Sequence, residues 1–420
     1  MPAAWTEPAV LHAVMALSSA HKSISCRQDC IPSQQQRFTL QQYNLAIQHL
    51  QALLATPSKF SAAVVLITCL LFTSLEYIRG QYKVAGSHLE NGLKLLRDIY
   101  SVVAIPVFGV DLVKHSMKHS IDRAVFQSFA TFHVQADLFG NHIPQAAILL
   151  QPMAIEMPSP TFRNVEEARD SLEKLLHGII LIRQKVGPLH DPVALKKAQK
   201  PALALLRTWR ATYEATVGWS IAHLKHERLA YMLLLSYHAM ASIMCNALTR
   251  KSEVCYESNT VDFTSIIEHS IEIWKHCSSN SGVNGLETTC DMGWIPPLYY
   301  TALKCRVHRI RLHAVRLLES ATRREGVWDS MLTAKIAAKV VQLEERGMRS
   351  DTIIGDDFAL DEVPCSRTFH VVLPESDLFG EVEVDLHEEN KVTITCRRYQ
   401  DHDVVHCMFD GAEWHDTEPV

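Results

Sequence analysis

The feature that most constrains this chain is a change of hydrophobic period. Through residue 349, apolar residues recur at intervals of three and four, the spacing of one helix face. Leu11, Val14 and Leu17 follow it, as do Tyr43, Ala46, Ile47, Leu50, Leu53 and Leu54. Phe162–Arg183 places Val165, Ala168, Leu172, Leu175, Leu176 and Ile179 on one side, with Glu166, Glu167, Arg169, Asp170 and Lys174 off it. Asn164, with Glu167 three residues later, has the pattern of a helix N-cap with capping-box support. Gly80 after Arg79 marks a break between helices, and Gly187-Pro188 with Pro192 marks another. Pro144, Pro152, Pro158 and Pro160 lie in an irregular connector.

From Arg367 the period becomes two. Val382, Val384 and Leu386 alternate with Glu381, Glu383 and Asp385; Val392, Ile394 and Cys396 alternate with Lys391, Thr393, Thr395 and Arg397. His387–Lys391 suits a hairpin connection, and Phe369–Leu373 and Val404–Phe409 can add strands. A sheet needs about three strands to persist. The expected fold is therefore mainly α: an all-helical domain over 1–350, then, over 351–420, an acidic linker and a small antiparallel β segment packed on it. Val382, Val384, Leu386, Val392 and Ile394 are expected to face the helices.

Charge divides at the same place. Residues 351–420 carry 18 acidic and 4 basic side chains, net −14, whereas the preceding 350 carry 37 basic and 28 acidic, net +9. A nucleic-acid footprint needs a gathered basic patch or a pI above about 9, against a sequence pI near 6.5 here. In Leu298–Glu319, read as one helix, Lys304, Arg306, Arg309, Arg311 and Arg316 are spread around the circumference and read as a solvated face. Lys196, Lys197 and Lys200 read the same way. Asp351–Glu362 mixes acids with Ile353, Ile354, Phe358 and Leu360; this reads as a surface linker, with an activation segment as the rival. The apolar runs Ala62–Phe72 and Tyr231–Leu248 read as core helices: the first falls short of the ~20 residues of a membrane span, and the second contains Ser236, His238, Ser242 and Asn246.

Signatures of chemistry are missing. There is no G-x-G-x-x-G, P-loop, G-x-S-x-G, H-E-x-x-H or C-x-x-C. Cys26 and Cys30 have no neighbouring Cys/His pair to complete a tetrahedral zinc site. His115 and His119, at i and i+4, would share a helix face, but Lys114 and Lys118 beside them favour a solvated basic surface. His402 and His406 share that spacing in a β segment, where it carries no information. The eleven cysteines are scattered and read as reduced thiols. No catalytic, cofactor-binding, metal-ligating or DNA-binding residue is nominated, no cofactor is expected, and the chain is read as a non-enzyme. A 39-residue echo, Gln42-Tyr43-x-x-Ala46-x-x-His49-Leu50 and Gln81-Tyr82-x-x-Ala85-x-x-His88-Leu89, has two copies where a helical-repeat array needs about three.

Taken in chain order, several motifs resemble the regulatory domain of the fungal zinc binuclear-cluster (C6) transcription factors. Pro8-Ala9-Val10-Leu11-His12-Ala13-Val14-Met15-Ala16-Leu17 is similar to its first helix. Cys69-Leu70-Leu71-Phe72, Glu76, Arg79-Gly80 and His88-Leu89-x-x-Gly92-Leu93-x-Leu95-Leu96 are similar to the next ones. Phe162 with Glu167-Ala168-Arg169-x-x-Leu172 also fits. Gly293-Trp294-Ile295-Pro296-Pro297-Leu298-Tyr299-Tyr300 with Lys304-Cys305-Arg306 is the most specific match, followed by Arg323-Arg324-Glu325-Gly326-Val327-Trp328-Asp329. Pro296 and Pro297 suit a first helical turn. Arg323–Gly326 reads as a helix C-terminus closed by glycine, with Trp328 as a core or interface anchor.

The resemblance implies a nuclear transcription regulator of metabolic or secondary-metabolite genes. Family members bind DNA through six cysteines holding two zinc ions, and Cys26 and Cys30 do not reproduce that spacing. The expectation is regulation without a zinc cluster in these residues; an in-frame six-cysteine segment upstream of Met1 would make them part of a longer protein. Expected partners are other proteins, such as a DNA-binding transcription factor or a second copy, and a small-molecule effector, with no specific DNA contact by this chain and no membrane. The alternative reading is a helical-repeat-like interaction scaffold, cytoplasmic and unconnected with transcription.

Overall fold

The computed structural model describes residues 7–25, 32–56, 61–108, 110–117, 123–141, 160–190, 192–220, 227–249, 252–280, 287–346, 358–364, 373–387, 391–399 and 403–417. Twelve α-helices occur among them. The first three are α1 (Pro8–Ser25), α2 (Pro32–Leu54) and α3 (Ala62–Arg79). Alanine sets how closely α1 approaches its neighbours. Ala9, Ala13, Ala16 and Ala20 are all buried along one stripe. Ala13 meets Ala46 of α2 and Phe72 of α3, while Ala16 and Ala20 meet Leu75 and Ile78. Gly80 closes α3 with φ +74°, a left-handed conformation that costs other residues more.

Next comes α4 (Tyr82–Ile99), which buries Leu89, Leu93 and Leu96 at zero exposure. The two copies of the echo lie on α2 and α4 and touch: the Tyr43 hydroxyl and His88 Nε2 are hydrogen-bonded at 2.9 Å, with Phe72 packed edge-on to Tyr43. The echo thus joins helices of one bundle, not successive repeats. An antiparallel hairpin, β1 (Tyr100–Val107) and β2 (Val110–Met117), follows α4. It interrupts the body that was expected to be all-helical, and it places His115 on a strand, so the helical i, i+4 reading fails; His119 lies outside the described residues.

The main core is built by α5 (Arg123–Phe139), α6 (Val165–His190), α7 (Pro192–Ser220), α8 (Arg228–Ala247) and α9 (Thr260–Asn280). At the start of α6 the Glu167 N–H donates to Asn164 Oδ1 at 2.9 Å, as the cap pattern requires. The Glu167 carboxylate then accepts from the Arg163 N–H, one residue before the cap. The α6 backbone stays helical to His190 through Gly187-Pro188, beyond the expected break. Both apolar runs are core helices: Leu66 and Leu75 of α3, and Met240 and Ile243 of α8, are fully buried. By length and hydropathy alone α3 and α8 could cross a membrane.

A three-stranded sheet then frames two helices. Strand β3 (Glu287–Thr289) pairs in parallel with β4 (Arg323–Glu325), which turns back into β5 (Trp328–Asp329). Between them lie α10 (Ile295–Lys304), with prolines in its first turn, and α11 (His308–Ser320). The expected single helix 298–319 is therefore two, because Cys305 and Val307 adopt extended backbone. Arg323–Gly326 is likewise a strand and a tight turn, not a helix end. Its partner strand lies 36 residues upstream, and Gly326 takes φ +60° at the reversal. Trp328 is fully buried, against Phe139 and Tyr299.

After α12 (Ser330–Glu344), the end of the chain is a four-stranded antiparallel sheet: β6 (Phe379–Leu386), β7 (Val392–Arg398), β8 (Val404–Phe409) and β9 (Trp414–Thr417). Val384, Leu386, Val392 and Ile394 are buried and Val382 partly so, on the face turned to the helices. The register pairs Val384 with Ile394 and Leu386 with Val392. β9 was not anticipated; Phe369–His370 and residues 371–372, proposed as strand, lie outside the described residues.

Candidate functional site

The basic segment that reads as solvated instead buries three of its cations among carboxylates. Lys304, Arg306 and Arg311 meet Glu253, Glu344 and Glu345, three cations against three carboxylates. Lys304 and Arg306 reach Glu253 at 3.1 and 2.6 Å. Arg306 also reaches Glu344 at 3.4 Å, and Arg311 bridges Glu344 and Glu345. The network also holds the C-terminal sheet. The Phe379 N–H donates to Glu344 at 2.8 Å, and Lys304 donates to the Phe379 and Gly380 carbonyls. Arg309 and Arg316 stack on Phe358 at 3.8 and 4.4 Å. Lys304, Arg306 and Arg311 are thus turned into the protein, and Arg309 and Arg316 are only partly exposed. Only the break at Cys305–Val307 lets the three cations converge, and no glycine or proline signals it.

Of the other sequence candidates, Lys196, Lys197 and Lys200 are exposed on α7, as a solvated face requires. His406 is hydrogen-bonded to the Thr395 hydroxyl at 3.1 Å. Cys26, Cys30, His402 and residues 351–357 lie outside the described residues, whereas Phe358 and Leu360 pack on α11. No group of three His, Cys, Asp or Glu with metal-binding geometry occurs among the described residues.

A cavity of about 190 Å³ lies between the N-terminal halves of α6 and α8. Leu172, Leu176, Leu233 and Leu234 supply apolar wall; Glu166, Arg169, Glu173, Tyr237 and Met292 complete it. Glu166 and Ala230 are exposed and mark its mouth. Arg169 is committed to Glu173 at 2.6 Å and Asp291 at 3.0 Å. The Tyr237 hydroxyl donates to the Gly293 carbonyl at 2.7 Å, and burial holds its pKa well above the ordinary phenol value. The sequence showed the α6 stripe but not the opening between it and α8.

Behind the cavity, the turn into α10 is held by one carboxylate. Glu325 accepts the N–H groups of Gly293, Trp294 and Ile295 at 3.1, 3.2 and 3.1 Å and pairs with Arg323 at 2.8 Å. This satisfies donors that a helix start leaves orphaned. A Cβ at Gly293 would fall 2.0 Å from the carboxylate, so the motif needs glycine there for space. Burial pushes the Glu325 carboxyl up to about 7, against Arg323 and the three N–H groups, which pull it down.

Residues 1–152 match the family described as fungal specific transcription factor domain. The chain is 23% identical over 436 aligned positions to the aspercryptin biosynthesis cluster-specific transcription regulator atnN of Emericella nidulans, covering 83% of this chain and 70% of the relative. It is 29% identical over 105 positions to the transcription regulator lscL of Purpureocillium lilacinum, covering 23% of this chain and 25% of that protein. No solved structure matches. The resemblance read from the motifs is thus supported: residues 1–152 match a fungal specific transcription factor domain, and most of the chain is similar to a fungal transcription regulator.

Proposed function

We propose that this protein regulates transcription of a fungal biosynthetic gene cluster and acts in the nucleus. The observation that carries the reading is the extended similarity to a cluster-specific regulator, over 83% of the chain, added to the domain match at residues 1–152. We further propose that these 420 residues work through protein partners, a DNA-binding factor or a second copy, and not by reading DNA or by catalysis. The basic residues of α10 and α11 support this: Lys304, Arg306 and Arg311 are spent on Glu253, Glu344 and Glu345. The overall balance, net −5, also disfavours a duplex.

The test is expression profiling of strains that lack or overproduce the protein. A contiguous set of biosynthetic transcripts should fall on deletion and rise on overproduction, or the reverse for a repressor. Unchanged transcripts in both strains would refute regulation. A fluorescent fusion confined to the cytoplasm under inducing conditions would refute nuclear action.

A further inference from the structure

The cavity between α6 and α8 has three properties that together describe a ligand. Its volume is about 190 Å³; an apolar cavity of roughly 150 Å³ suffices for benzene. Its deep wall is leucine, so a guest gains mainly by leaving water. Its rim is negative: Glu166 and Glu173 line it and Asp291 stands beside it, against the single guanidinium of Arg169. Among the described lining residues an anionic guest would meet like charge, and the one cation there, Arg169, is already paired.

The wall is also continuous with one turn of backbone. Asp291 is tied to Arg169, Met292 lines the cavity, and Gly293 accepts the Tyr237 hydroxyl. The next N–H groups, through Ile295, are those held by Glu325 at the start of α10. Three consecutive residues thus touch cavity-lining groups on one side and lead into α10 on the other. We propose that the cavity binds a small, neutral, largely apolar molecule of one or two fused rings, and that occupancy is passed through residues 291–295 to α10. That this constitutes effector control rests on the regulator reading; binding and transmission do not, and they are measured on purified protein.

Indole is a suitable neutral probe and benzoate its anionic counterpart. Indole should bind saturably, raise the thermal midpoint, and slow amide exchange at Met292–Ile295; benzoate should bind at least about tenfold more weakly, a difference of ~1.4 kcal/mol. Leu233→Trp fills the cavity from α8, and Ala230→Phe obstructs the mouth from an exposed position. Each should weaken indole about tenfold or more while retaining a cooperative thermal transition; if Leu233→Trp does not fold, Ala230→Phe decides. Tyr237→Phe should keep indole affinity within about threefold and lose the slowed exchange at Gly293–Ile295. No saturable indole binding, or full binding by folded Ala230→Phe, would overturn the site. Benzoate binding as tight as indole would overturn the stated ligand class, and slowed exchange that survives Tyr237→Phe would overturn the transmission. Transcripts that do not respond to deletion would strike the regulator reading and leave these results standing.

Discussion

The two ends of the folded chain are secured by opposite means. At the N-terminal end α1 and α2 carry only Lys22 and Arg37 as charged residues between them, and their contact with α3 is made by alanine, aliphatic and aromatic side chains. At the C-terminal end the β6–β9 sheet joins the helices partly through carboxylates and cations buried with it. Apolar contact is non-directional and scales with area, so the alanine stripe tolerates small shifts. A buried ion network gains its Coulomb energy only with correct geometry, and its members are costly when stranded. The comparison teaches that the first region can be damaged by adding volume, the second by removing one charge.

The largest effect is expected at Glu344, which receives Arg306, Arg311 and the Phe379 N–H. Glu344→Ala leaves two buried guanidinium groups short of a partner and should cost about 3–5 kcal/mol. Urea titration with separate probes for sheet and helices measures it; a loss below about 1 kcal/mol would mean that water already screens the network. A smaller loss is expected at the other end. Ala13→Leu overpacks the meeting of Ala13, Ala46 and Phe72 and should cost about 1–3 kcal/mol. A neutral result would show that the α1–α2 contact has slack and would break the first half of the contrast.

The smallest effect is a difference in sign with pH. Burial lowers the His88 pKa below its ordinary 6.5. The unfolded chain therefore binds more protons below pH 6.5, and stability is lost as pH falls. Glu325 is raised from 4.5 to about 7, so the folded chain binds more protons between those values, and stability is lost as pH rises. Relative to the parent, Glu325→Gln should gain stability from pH 4.5 to 7, whereas His88→Phe should gain it as pH drops below 6.5. Denaturant midpoints of the three proteins across that range give the slopes; slopes of the same sign would contradict the assignment.

Much of this architecture is legible in residue order. The stripe from Val165 to Ile179, the Asn164 cap and the alternation from Val382 to Ile394 are local patterns, and each folds as its period requires. The errors have a common cause. Leu298–Glu319 keeps helical spacing across Cys305–Val307, so nothing local reports the break. Arg323–Glu325 has the composition of a helix end and becomes a strand because Glu287–Thr289 is brought beside it. Lys304, Arg306 and Arg311 look solvated because their partners, Glu253, Glu344 and Glu345, are up to 53 residues away.

By itself the sequence determined the helical body, the buried face of the terminal sheet, and the motifs that ally this chain with fungal transcription regulators. Periodicity and caps act over a few residues, and a motif is a string. Tertiary structure alone decided which charges are buried, where α10 ends and α11 begins, and that an opening the size of a small molecule lies between the N-terminal halves of α6 and α8. Those outcomes depend on groups distant in the chain meeting at distances of a few ångströms, where desolvation and close packing act and spacing along the sequence carries no information.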